Sequence, residues 1–80
     1  MSETKLKYEG MELVLKYEGM DIVGLPVYSS GGRYYVDVEP RKRYEPKICT
    51  KLYNNFDGEP DYPIRADKVV IFLPERVTWD

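Results

Sequence analysis

Between Arg33 and Tyr53 the chain interleaves tyrosines with cations: Arg33, Tyr34, Tyr35, Arg41, Lys42, Arg43, Tyr44, Lys47, Lys51 and Tyr53. Exposed rings stack on nucleobases while Lys and Arg follow phosphates, so such a run suits a single-stranded nucleic acid. Tyr and Arg equally concentrate energy at protein–protein interfaces, because a flat ring or a guanidinium buries area for little entropy lost. The plain alternative is a solvated sheet face whose tyrosines shelter the strands. A protein partner is the favoured reading, with Arg33, Tyr35, Arg41, Lys42, Arg43, Tyr44, Lys47, Lys51 and Tyr53 as the contact set.

Other chemistry is excluded by residue type. The chain has no His and a single Cys, which removes Ser/His/Asp triads, His-activated thiols, His-based metal sites and structural zinc sites. Asp57, Glu59 and Asp61 alternate like the opening of a calcium loop, but the sixth position is Tyr62 where Gly is needed and the twelfth is Lys68 where a bidentate Glu is needed. Gly31-Gly32-Arg33 lacks the Lys-Ser/Thr of a phosphate loop and reads as a hairpin turn. Asn54-Asn55-Phe56 has no Ser or Thr for glycosylation. Lys47 and Lys51 flank Cys49 and would favour its thiolate, yet a plain strand thiol is the simpler reading. The chain is expected to be non-enzymatic and to need no cofactor or metal.

Charge agrees with a selective role. The net charge of −2 fits neither a bulk nucleic-acid binder nor a strongly acidic mimic of one. Within it, residues 1–32 carry −2, residues 33–53 carry +3 and residues 54–80 carry −3, so the basic part coincides with the tyrosine-rich part. The lone Cys49 cannot close an intramolecular disulfide, which suits a reducing, intracellular and cytoplasmic setting. The N-terminus has no apolar signal stretch, and the run Val69 to Leu73 is too short to span a bilayer, so no membrane role is expected.

Strands must position these groups. Eight Val, four Ile, three Thr and eleven aromatics stand against one Ala and no Gln, a choice of residues that favours strand over helix. Period-two alternation predicts strands at about 11–17, 33–39 and 47–53, with others at 21–28 and 68–73. Ser29-Ser30-Gly31-Gly32 should turn a hairpin, Pro40 to Pro46 is a charged connection, and Asn54 to Pro63 reads as a loop. In this scheme Arg33, Tyr35, Lys47, Lys51 and Tyr53 face away from the core. Val36, Val38, Ile48, Leu52, Val69 and Ile71 form the core, with the last strand central or covered on both sides because it is apolar on both faces. The expected fold is one mostly β domain over residues 1–80: a small antiparallel barrel or rolled sheet of about five to six strands, SH3-like or OB-like in kind. Residues 75–80 form a C-terminal tail that Val77 and Trp79 pin down. About 60–65% of the unfolded surface is buried in a chain this short, so a site belongs on a sheet face or among loops.

Lys7-Tyr8-Glu9-Gly10-Met11-Glu12-Leu13-Val14 recurs as Lys16-Tyr17-Glu18-Gly19-Met20-Asp21-Ile22-Val23, identical at six of eight positions. Two copies are too few for a solenoid. They predict two similar strands with Glu-Gly turns between them. The odd spacing of nine would exchange faces if the register slipped by one copy, which leaves a monomer or a strand-exchanged homodimer as the expected states.

Overall fold

The computed structural model describes residues 12–42, 46–64 and 69–79. They form β1 (Glu12–Met20), β2 (Pro26–Ser30), β3 (Arg33–Asp37), β4 (Ile48–Lys51), β5 (Pro60–Pro63) and β6 (Val69–Leu73), with one short 3-10 turn at Leu52–Asn54. The six strands make one mixed sheet in the order β5-β4-β3-β2-β1-β6. No helix among the described residues is long and apolar enough to cross a membrane.

The expected hairpin is present. Gly31 and Gly32 hold φ of +57° and +79°, the left-handed pair that lets a two-residue turn follow the twist of its strands. Ser30 therefore faces Arg33, and Val27 faces Val36.

Elsewhere the boundaries shift. The strand expected at 21–28 begins only at Pro26, because Asp21 to Gly24 make a turn closed by the Gly24 N–H on the Asp21 carbonyl. Glu18-Gly19 is not a turn. Gly19, at φ +125°, lies inside β1 where the pairing with β2 slips by one residue, the bulge that relieves a strand bending toward its partner. The two repeat copies thus differ: Glu12 to Val14 and Lys16 to Met20 belong to the same strand, and Ile22-Val23 caps a turn. Residues 7–11 lie outside the described residues. Pro60 to Pro63, expected as loop, is the end strand of the described sheet, a place where a missing proline donor costs no ladder bond. Its Tyr62 N–H donates to the Thr50 hydroxyl at 3.1 Å, a side chain taking over where the ladder to β4 is irregular.

The largest correction concerns β6. It lies at one end of the described order, where a central place was one of the two expected, and pairs with β1 in parallel, Glu12 to Lys16 against Val69 to Leu73, so the sheet is mixed. Its apolar residues are partly covered because Val70 and Phe72 pack on the cluster of Leu15, Tyr28 and Ile48. β5 and β6 stand at opposite ends, so the sheet of described strands is open.

Both faces are buried to a degree. On the main face Leu13, Tyr17, Tyr35 and Ile64 join that cluster, and the Tyr28 ring meets Tyr17 and Phe72 edge-on at 5.6 and 5.1 Å. On the other face Val27 and Val36 are fully buried, and Phe56 of the loop after β4 meets Tyr34 edge-on at 5.5 Å. Of the expected core, Val36 and Ile48 are buried, whereas Val38, Leu52 and Ile71 are only half-buried. The Val69 side chain lies outside the described set. Ile71→Ala should accordingly cost less than the roughly 2–5 kcal/mol of a fully buried site, as urea denaturation would read. A loss within that range would instead mark Ile71 as fully buried.

Candidate functional site

The segment after Pro74 is drawn back over the sheet by polar contacts that its sequence alone does not advertise. Arg76 meets the fully buried Asp37 with Nε and Nη2, both at 2.8 Å, and Nη2 also donates to the Glu39 carbonyl at 3.1 Å. The Val77 N–H donates to the Tyr28 hydroxyl at 2.9 Å, and the Trp79 N–H to the Pro40 carbonyl at 3.0 Å. These bonds place the indole of Trp79 beside Arg41, whose guanidinium carbon is 5.8 Å from the ring centre, within cation–π range. Burial raises the Tyr28 phenol above its ordinary value; the Val77 N–H opposes this, and the Asp37 charge adds to it.

Trp79 so placed closes one side of an open groove of about 450 Å³, lined by Leu25, Val38, Glu39, Pro40, Arg41, Lys42 and the indole. Leu25 closes the turn before β2, and residues 38–42 follow β3, so the groove sits where two connections meet the C-terminal segment. Its floor is apolar, and Arg41 and Lys42 are exposed at its rim.

A second polar centre fixes the neighbouring turn. Lys51, 2% exposed, donates from Nζ to Asp21 Oδ2 at 2.5 Å and to the Gly58 carbonyl at 2.8 Å. Asp21 Oδ1 accepts the N–H groups of Val23 and Leu25 at 3.1 and 2.9 Å. Burial works to raise the Asp21 carboxyl, but the Lys51 hydrogen bond and charge, with the two N–H donors, outweigh it and hold the group below its ordinary value.

Measured against the expected contact set, the structure divides it. Lys51 is withdrawn into this buried pair. Tyr35 faces Thr50 across the ladder, which puts it on the main core face, opposite to that of Cys49 and Lys51, and it is half-buried there. The supposed common face of Tyr35 and Lys51 therefore does not exist. Arg33, Arg41, Lys42 and Lys47 are exposed, and Tyr53 is 89% exposed at φ +57° in the 3-10 turn. Arg43 and Tyr44 lie outside the described residues. Burial raises the Cys49 thiol, with the Lys47 charge acting against it, so its thiolate is disfavoured. Among the described residues no three Cys, Asp or Glu side chains converge as metal ligands.

Leu25, Val38, Pro40 and Trp79 were not in that set. A lone Trp in a short polar tail was the available signal, since so large a ring seldom lacks a packing partner. Comparison with models of known protein families, with curated proteins and with solved structures finds no match to this chain.

Proposed function

We propose that the chain is a non-catalytic protein-binding module, a small regulator or inhibitor of a larger protein, which takes an apolar partner side chain into the Trp79 groove. Arg41 and Lys42 at the rim then meet carboxylates flanking that anchor. The observation carrying this reading is the groove itself: an apolar floor of Leu25, Val38, Pro40 and Trp79 beside two exposed cations. Apolar anchors in desolvated pockets supply most interface energy, and rim charges mainly set association rate. The contact across β2 and β3 from Lys51 to Asp21, just past β1, supports a rolled sheet of the SH3-like or OB-like kind. Three strand spacings amount to about 14 Å in a flat sheet, so strand and turn must curl toward that face. A reducing cytoplasm suits the single thiol of Cys49.

The chain holds one Trp, which lies in the groove and reports on it directly. Titration with acidic heptapeptides carrying a single Leu or Phe should change Trp79 emission, and Arg41→Ser/Lys42→Ser should weaken that binding roughly tenfold. Tight binding of an oligothymidylate that falls steeply with salt, with no response to peptides, would replace this reading by the nucleic-acid one.

A further inference from the structure

We propose that two copies of this chain dock reciprocally, the Ile22-Val23 tip of each entering the Trp79 groove of the other. This deepens the reading of the groove as a protein-binding site and rests on it.

The tip is unusual in combining exposure with rigidity. Ile22 is 82% and Val23 69% exposed, with Met20 beside them at 45%. Single exposed aliphatics are ordinary, but adjacent ones on a turn are not what a solvated loop selects. The turn beneath them is tied at almost every donor. The Ile22 N–H donates to Asp57 Oδ1 at 3.0 Å, the Val23 and Leu25 N–H groups to Asp21 Oδ1, the Gly24 N–H to the Asp21 carbonyl at 2.9 Å and the Asp21 N–H to the Leu25 carbonyl at 3.0 Å. The Lys51 ion pair anchors the whole from below. A rigid apolar tip loses little conformational entropy on docking, the condition under which a small contact area still gives measurable affinity.

Charge and placement name the occupant. The exposed acids Asp57 and Glu59 lie in the loop that holds the tip, whereas Arg41, Lys42 and Glu39 give the groove rim one net positive charge. Tip and groove are thus complementary in both polarity and sign. They also adjoin, because Leu25 both ends the turn and lines the groove. Docked about a two-fold axis, tip to groove and groove to tip, the contact closes as a dimer, whereas the same contact made one way only would propagate as a filament. With one tip and one groove per copy, the interface falls in the small, transient class.

The test is sedimentation of the full chain from about 1 µM to about 1 mM, with Trp79 emission followed over the same range. The expected result is a monomer–dimer equilibrium in which emission shifts to the blue as dimer forms. Ile22→Ser/Val23→Ser should stay monomeric, with unchanged circular dichroism and with the emission of the dilute parent throughout. Arg41→Ser/Lys42→Ser should weaken the dimer roughly tenfold. A parent that is monomeric at every concentration, yet whose Trp79 responds to the acidic peptides, overturns the reciprocal docking and leaves the groove reading intact. If Trp79 responds to neither, both fall. A dimer that survives Ile22→Ser/Val23→Ser is assembled elsewhere, by strand exchange for example, and equally overturns the proposal.

Discussion

Replacing Lys51 by Met is expected to destabilise the domain by about 3–5 kcal/mol, because it leaves the buried Asp21 carboxylate without its counter-ion. Small domains hold only about 5–15 kcal/mol in total, so the variant should melt well below the parent. The Gly58 carbonyl also loses its donor, which loosens the loop carrying Phe56 and Asp57. The same pair sets an acid limit. Asp21 titrates below its ordinary value when folded, so its ionised form adds stability that is present above about pH 4 and lost as pH falls through the lowered value. Urea denaturation of the parent and of Asp21→Asn should therefore show a gap at pH 7 that narrows below about pH 4. A gap that is constant or widens in acid contradicts the assignment, as does a Lys51→Met protein of parental stability.

Tyr28→Ala should cost about 3–5 kcal/mol, since the ring is fully buried between Tyr17 and Phe72. Tyr28→Phe separates the two roles of the side chain. It preserves the packing but leaves the Val77 N–H without its acceptor, at about 1–3 kcal/mol. Because that bond holds the C-terminal segment, Trp79 emission should shift to the red in Tyr28→Phe before the sheet melts. The raised phenol gives an alkaline counterpart: stability is full below about pH 10 and is lost as pH rises through the elevated folded value, a step that Tyr28→Phe should lack. Identical Trp79 emission in parent and Tyr28→Phe would mean that the segment is held without this bond.

What the sequence revealed was what is local. The Gly31-Gly32 hairpin, the alternation along β1, β3 and β4, and the near absence of helix among the described residues follow from turn chemistry and side-chain period. What it concealed depends on partners distant in the chain. Lys51 alternates like a solvated residue and is buried only because Asp21, thirty residues earlier, neutralises it. Asp37 is buried for the same reason, by Arg76. Tyr35 alternates with the buried Val36 and so reads as solvent-facing, an inference valid only for a sheet covered on one side; here Tyr35 packs on the main core while Val36 is buried on the opposite face. The apolar run of β6 looks the same whether a strand is central or lies at an end beneath a packed face, and only long-range pairing decides. Prolines disguised β5, since their penalty applies to inner strands and not to edges. The groove is not legible in the sequence because Leu25, Val38, Pro40 and Trp79 come from separate segments joined by the bonds of Arg76, Val77 and Trp79.

The central claim, that this groove receives a protein segment, is tested most directly by amide chemical-shift mapping of the full chain. An acidic heptapeptide with one Leu and an oligothymidylate of similar charge are added in parallel. The account predicts that the peptide perturbs Leu25, Val38, Glu39, Arg41, Lys42 and the Trp79 indole N–H, while the oligonucleotide leaves them unchanged. Perturbations spread over Arg33, Lys47 and Tyr53 with the oligonucleotide, and none in the groove with the peptide, would contradict it.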